Sequence, residues 1–369
     1  MSDISNLNGK NILVTGSHGF IGASLVMKLL KTLNLSTIVL LDDMNGYYDV
    51  RLKEWRGQQI NEAALSSSCR HIFAMGSITD RELLEDLFSE YRIDMVVNLA
   101  AQAGVRRSLD FPDEYINSNV VGFCNILEQC SKHSVEHLVY ASSSSVYGNA
   151  GGKILSEGCG LEDRPVSLYA ATKRCDEMLA HAYASMHGLP CTGLRFFTVY
   201  GPAGRPDMLY YTAANKFVKD QVVDVYNNGL LRRDFTYIDD VVDAIMCVMA
   251  SPPIGTVADD CIMEVPWAVY NIGCGRPTGV LEFLAVLHTE LERVGVLPNG
   301  HELRLRLLDM QPGDVRETYA DTTALLVDHG YRPNTTIQDG LRAFAEWYAD
   351  YYGGVYERQP EYVGVEGRI

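Results

Sequence analysis

No stretch of this sequence approaches the ~20 consecutive apolar residues of a membrane-spanning helix, so a bilayer is not an expected surrounding. The nine cysteines, Cys69, Cys124, Cys130, Cys159, Cys175, Cys191, Cys247, Cys261 and Cys274, stand singly, with no C-x-x-C pair and no histidine spacing suited to zinc. No metal site is therefore expected, and the thiols read as core filling in a reducing compartment. No basic cluster offsets the formal charge of -16, which repels nucleic-acid phosphates and anionic lipid surfaces; neither is an expected partner. Internal repeats and low-complexity tracts are missing as well. Residues Met1 to Lys10 lack the basic and apolar regions of a signal peptide, and the expected location is the cytoplasm.

What remains is a globular composition: 369 residues, 47% hydrophobic and 21% charged. Apolar β-rich runs at Asn11 to Thr15, Thr37 to Leu41, Met95 to Leu99 and His137 to Ala141 alternate with helical spacing at Asp80 to Tyr91 and Pro112 to His133. Repeated βα units of this kind predict an α/β fold, a doubly wound parallel sheet of Rossmann type. The second half is less regular, punctuated by Gly201-Pro202, Pro252-Pro253 and Pro312-Gly313, and predicts a smaller C-terminal lobe. The expected division is 1–190 for the dinucleotide-binding and catalytic part and 191–369 for a substrate-binding lobe, with some of the latter returning to the sheet. Ser251 to Pro266 reads as a surface excursion, and the tail after Tyr351 has no clear period.

Gly16, Gly19 and Gly22 lie between the first strand and the first helix, the context of a dinucleotide fingerprint. The glycines permit a tight turn, close approach of a pyrophosphate and close helix packing, while the helix N-terminus offers N–H donors. The first spacing is three residues rather than two. Asp42 ends the next strand, where a carboxylate accepts hydrogen bonds from ribose hydroxyls and repels a 2′-phosphate, which favours NAD over NADP.

Tyr169 and Lys173 are four residues apart on a predicted helix and so share a face. A phenol with an ordinary pKa of about 10 becomes a usable base when an ammonium favours its phenolate. The Ser142-Ser143-Ser144-Ser145 run follows a predicted strand, at the end of the sheet where doubly wound folds bind ligands, and supplies hydroxyls for a reacting oxygen. Each feature alone has an ordinary structural reading. Their joint occurrence in this order argues for a site.

With Asn98 to Arg106, Asn117 to Gly122, Ser167 to Lys173, Thr192 to Pro202 and Gly204 to Met208, the sequence resembles the extended short-chain dehydrogenase/reductase family over nearly its whole length. It is similar to the family's nucleotide-sugar epimerases, and to UDP-glucuronate 4-epimerases in particular. The resemblance implies that NAD is held by Gly16, Gly19, Phe20, Ile21, Gly22, Asp42 and Asn45, by Ser77 and Ile78, and by Leu99, Ala100, Ala101 and Ala103. Asn119, Phe196 and Val199 would complete that set together with Tyr169 and Lys173. It further implies Tyr169 as base, Lys173 as its electrostatic partner, and Ser143 with Ser145 on the hexose O4, beside Ser144. Arg106, Thr198, Arg205, Arg233 and Asp314 would contact the rest of a UDP-sugar, Thr198 and Arg205 at the uronate end and Arg233 at the diphosphate. Ser77 stands where the family often has Asp, and Arg107 where the glucuronate enzymes often have Tyr.

The implied reaction is 4-epimerization of UDP-glucuronate to UDP-galacturonate by transient C4 oxidation and return of hydride to the opposite face. UDP-glucose/UDP-galactose interconversion is the alternative within the chemistry, and a non-catalytic NAD sensor or scaffold the alternative outside it. The turn Ser142 to Val146 carries no carboxylate, which disfavours sugar-nucleotide dehydratases, since these need a further acid and base. The resemblance also implies a homodimer through helices near Pro112 to His133 and Leu168 to His187.

Overall fold

The computed structural model describes residues 3–149, 153–158, 165–258, 261–310 and 315–353. Strands β1 (Asn11–Thr15), β2 (Thr37–Asp42), β3 (Arg70–Met75), β4 (Met95–Asn98), β5 (His137–Ser143) and β6 (Cys191–Phe196) join a seventh, Trp267–Ile272, in one sheet. From the edge the order is β3-β2-β1-β4-β5-β6 and then Trp267–Ile272, with every pairing parallel. The central strands are buried on both faces, which explains their near-continuous Val, Ile and Leu. Ile12, Val14, Ile38 and Leu40 pack with helix α1 (Phe20–Thr32) and the helix Ile238–Met249 on one face. Leu13, Val39, Val96 and Leu138 pack on the other with helix α3 (Arg81–Tyr91), Phe123–Lys132 and Leu168–His187. Strand order reverses between β1 and β4, and the crevice at their carboxyl ends is where this topology receives a ligand.

A second core is built mainly from the later chain, joined by Tyr48 and Leu52, and is strongly aromatic: Tyr210, Phe217, Phe235, Phe283, Phe344 and Tyr348 are all buried in it. Ser251 to Pro266, expected as an excursion, contains the paired strands Thr256–Ala258 and Cys261–Glu264. The expected single helix over Pro112 to His133 is instead Pro112–Tyr115, a π-helical stretch Ile116–Gly122 and Phe123–Lys132. Within the π stretch Asn119 is turned inward and Gly122 lies against Ile78, where a Cβ would sit 2.6 Å from Ile78 Cγ1. The wider turn and the missing side chain together let this backbone lie close to the sheet. Strand β3 was not foreseen, because its residues alternate in exposure instead of forming an apolar run. No described helix is long and apolar enough to cross a membrane.

Candidate active site

The glycine turn is sterically obligatory. Gly16 has φ +65°, and a Cβ there would meet the Ala100 amide nitrogen at 2.8 Å. A Cβ on Gly22 would lie 2.1 Å from the Gly16 carbonyl oxygen, so only hydrogen at Gly22 lets α1 begin this close to the turn. Gly19 is the N-cap of α1, whose first amides face the cavity with the positive end of the helix dipole.

Asp42 is buried at the carboxyl end of β2, where its Oδ2 accepts from the His18 amide at 2.9 Å and its Oδ1 from the Met44 amide at 2.9 Å. Lys53 Nζ is 3.5 Å from Asp42 Oδ1 and donates to Asn45 Oδ1 at 3.3 Å. The carboxylate is thus fixed by backbone donors at the mouth of the crevice. These glycines and this carboxylate fit a dinucleotide. Asp42 would hold the adenosine ribose of such a ligand and the amides at the start of α1 its pyrophosphate.

One cavity runs from this turn to Tyr169. It is lined by Gly16, Gly19, Phe20, Ile21, Gly22, Asp42, Asn45, Ser77, Ile78, Leu99, Ala100, Ala101, Ala103, Ser143, Tyr169, Lys173, Phe196, Val199 and Arg205 among the residues expected from sequence. Asn119 is not on its wall. Its Oδ1 accepts from the Gln102 amide at 2.8 Å, while its Nδ2 donates to Gln102 O and to Thr172 Oγ1, both at 3.0 Å. Asn119 therefore clamps the cavity's Ala101 to Ala103 wall to the Tyr169 helix from behind.

Ser167 caps that helix, its Oγ accepting from the Ala170 amide at 3.1 Å, and places Tyr169 in the first turn. Lys173 follows one turn later and is buried, its Nζ donating to Ala141 O at 3.0 Å and to Asp176 Oδ2 at 3.1 Å. Ser143 ends β5 and lines the cavity; Ser145 Oγ donates to Ser143 Oγ at 2.9 Å. Ser144 and Ser145 stand behind Ser143 rather than on the cavity wall.

The helix is keyed to the sheet by a buried ion pair. Arg195 on β6 donates to Glu177 from Nε at 2.7 Å and from NH2 at 2.8 Å, and Ser142 Oγ donates to Glu177 Oε1 at 2.7 Å. Burial alone would raise the Glu177 pKa, but Arg195 outweighs it and holds the carboxylate ionised. Arg195→Met leaves this buried carboxylate short of its bidentate partner, and a loss of roughly 3–5 kcal/mol in unfolding free energy is expected in urea titration. A change below about 1 kcal/mol, the range of exposed pairs, would contradict this role.

Several residues at the site were not foreseen. Tyr47 and Met208 line the cavity, and buried Arg56 joins the two halves: it donates to Ala203 O at 2.7 and 3.0 Å, to Gly204 O at 3.1 Å and to His18 O at 3.0 Å. Lys53 and Arg56 are three apart on helix α2 (Val50–Ala64), a shared face that spacing could have suggested. By tying Ala203 and Gly204 to the glycine turn, Arg56 sets Arg205 at the cavity. Arg205 donates to Asp207 from Nε at 3.1 Å and NH2 at 2.5 Å, and its guanidinium carbon lies 5.5 Å from the Tyr47 ring centre. Burial opposes the charge, yet Asp207 keeps Arg205 protonated. Tyr47 is itself pushed up to about 12 by burial, so its hydroxyl stays protonated.

Arg106, Thr198 and Arg233, also expected as substrate contacts, lie off this cavity. Arg106 is exposed, with its guanidinium carbon 5.2 Å from the Tyr226 ring centre. Arg107, the departure noted in sequence, lies 4.9 Å from the Tyr47 ring centre and 3.2 Å from Glu114. Thr198 begins the short strand Thr198–Tyr200, paired with Phe235–Tyr237. Arg233 follows Arg232 in a two-residue strand and donates to the Arg232 and Arg316 carbonyls at 2.9 and 3.3 Å. Asp314 lies outside the described residues, as does the tail after Gly353. Among the described residues no cluster of His, Cys, Asp and Glu is arranged for a metal ion.

Comparison with known proteins gives the same picture over most of the chain. Residues 12–273 match the model of the NAD dependent epimerase/dehydratase family. Protein CapI of Staphylococcus aureus is 44% identical over 348 residues, covering 92% of this chain and 99% of that protein. UDP-glucuronate 4-epimerase 4 of Arabidopsis thaliana is 36% identical over 356 residues, covering 95% and 78% of the respective chains. Among solved structures, a UDP-glucuronic acid 4-epimerase from Bacillus cereus in complex with UDP-glucuronic acid and NAD has a TM-score of 0.76 at 30% identity, covering 93% of this chain and all of that one.

Proposed function

This chain belongs to the NAD dependent epimerase/dehydratase family, and on that footing we propose that it interconverts UDP-glucuronate and UDP-galacturonate by inverting C4. The observation that carries the substrate assignment is Arg205, a half-buried cation on the wall of the cavity that also holds Tyr169 and Lys173. Asp207 occupies its Nε and NH2 edge, while NH1 has no hydrogen-bond partner among the described residues. A carboxylate at C6 of the sugar suits that remaining edge. The similar UDP-glucuronate 4-epimerases of Arabidopsis thaliana and Bacillus cereus support the same reading.

Tyr169 is the group that takes the proton from the C4 hydroxyl and later returns it. Lys173 favours the phenolate by its charge, and Ser143 holds the C4 oxygen against the tyrosine. Bound NAD supplies a reversible hydride acceptor at C4. The 4-keto sugar turns while the chain keeps hold of its nucleotide, for which Arg233 and Asp314 are the proposed anchors together with Arg106, while Thr198 joins Arg205 at the uronate end. Residues 1–190 then carry cofactor and catalysis and 191–369 the sugar nucleotide, apart from β6 and Trp267–Ile272, which belong to the sheet. The unbonded thiols among the described residues accord with a reducing, cytoplasmic setting. Exposed Ile116, Val121, Met178 and Met186 lie on the helices through which we infer a homodimer; a monomeric mass in light scattering would refute it.

The substrate assignment is tested by comparing kcat/KM for UDP-glucuronate and UDP-glucose in the wild type and in Arg205→Ala. We expect the variant to lose about 100-fold on the uronate, as a charge pair that the bound sugar shields from water, worth about 2–5 kcal/mol, implies, and little on the neutral sugar. Equal losses on both, or a wild-type preference for the neutral sugar above about tenfold, a difference of 1.4 kcal/mol, would overturn it.

A further inference from the structure

The ammonium of Lys173 is shared with a carboxylate that the mechanism above does not use. Lys173 and Asp176 are 3% and 1% exposed, and the Nζ to Oδ2 distance is 3.1 Å. An ammonium has three donors. One goes to Ala141 O, one to Asp176, and the third is left on the cavity side, where Tyr169 lies one helical turn away. Asp176 Oδ1 is buried without a hydrogen-bond partner. A carboxylate satisfied on one oxygen only is costly to keep ionised in such a place, and it is retained here directly against the cation that the base depends on.

We propose that Asp176 is a positioning residue for the reaction: it orients the Lys173 ammonium and offsets part of its charge, so that the Lys173–Asp176 pair, and not Lys173 alone, sets how readily Tyr169 becomes a base. This rests on the assignment of Tyr169 and Lys173 as the proton-handling pair. It does not depend on which sugar is bound.

The surroundings of Asp176 leave it as the group that changes charge. Burial pushes its carboxyl up to about 7, against the pull of Lys173 and with a further push from Glu177 on the same helix. Glu177 stays ionised, held by Arg195, Arg174 and Ser142. Cys124 faces Asp176 from the helix Phe123–Lys132, Cys175 flanks it, and Tyr140 faces it from β5; burial raises all three, so they remain neutral. The sign follows from the charges. When Asp176 is ionised it cancels much of the Lys173 field and the Tyr169 phenolate is less favoured. When Asp176 is neutral the full ammonium charge acts on Tyr169 and the phenolate is more favoured.

The test is a pH titration of the Tyr169 phenolate in full-length, NAD-loaded protein, taken as the ultraviolet difference between each form and its Tyr169→Phe counterpart. It is run on the wild type, on Asp176→Asn and on Asp176→Ser, two neutral replacements of different size. Both variants are expected to move the midpoint down by about one unit, the low end of the effect of an adjacent charge, and to move the acidic limb of kcat equally with KM unchanged. Coincident midpoints in wild type and either folded variant would overturn the proposal, because a carboxylate that serves packing alone would lower stability and leave the titration where it was. A shifted midpoint in protein that fails to turn over UDP-glucuronate would support this coupling while refuting the substrate assignment.

Discussion

Tyr169→Phe is expected to reduce kcat by roughly 10³-fold while leaving the fold and the NAD content of the purified protein as they are. The reasoning is local. The Tyr169 ring meets Tyr115 edge-on at 6.3 Å, and Tyr115 is itself fixed by hydrogen bonds from its hydroxyl to Ala103 O at 2.6 Å and Gly104 O at 2.9 Å. Phenylalanine keeps that ring contact and removes only the group that exchanges a proton with C4. Burial pushes the Tyr115 pKa up and so keeps that neighbouring phenol from taking over as base. Steady-state rates together with the ultraviolet absorbance of released cofactor check both halves of the expectation. Full activity in the variant would remove Tyr169 from the mechanism.

The second large effect concerns cofactor retention. Gly22→Ala forces a methyl group to within 2.1 Å of the Gly16 carbonyl oxygen, a contact with backbone that no side-chain rotation relieves. Either α1 retreats or the Gly16 turn opens, and in both cases the amides at the start of α1 leave the place where a pyrophosphate would meet them. Strain of this kind costs about 1–3 kcal/mol, which corresponds to roughly 5- to 150-fold in affinity when it falls on the binding geometry. The variant should purify with little NAD and show a smaller rise in melting temperature than wild type when NAD is added. Retention of a full complement of NAD would mean that the pyrophosphate is held elsewhere.

Sequence patterns were most informative where a residue's role depends on its immediate neighbours. The core of β1 follows from four apolar or β-branched residues, Ile12 to Thr15, running into Gly16, and the cofactor turn follows from glycine spacing at that junction. Strands β2, β4 and β5 begin at the expected residues for the same reason: a strand buried on both faces advertises itself as an apolar run. Strand β3 lies at the sheet edge and has no such run. The cavity likewise gathers the residues of the glycine turn, the Ala100 region and the Tyr169 helix, all placed by local rules.

Arg56, Tyr47 and Asp176 belong to the other category. Arg56 reaches residues 147 and 148 positions away, and nothing in the Trp55-Arg56-Gly57 segment announces partners at Ala203 and Gly204. Asp176 and Glu177 are buried because the helix face bearing Lys173, Ala180 and Ala184 turns toward the sheet. Spacing places these residues on one stripe, but a stripe mixing charges with alanines does not by itself say which side faces inward. Asn119 was assigned to the cofactor, yet its bonds run to Gln102 and Thr172; the asparagine was legible as important, whereas its partners required the fold.

The measurement that bears most directly on the whole account is incubation of the NAD-loaded protein with UDP-glucuronate carrying deuterium at C4, followed by proton NMR of the sugar in ordinary water. UDP-galacturonate with the deuterium still at C4 is the predicted result, since hydride leaves and re-enters the same carbon inside a closed site. Product that has lost the label to water, or no inversion of the uronate while UDP-glucose is inverted under the same conditions, would contradict it.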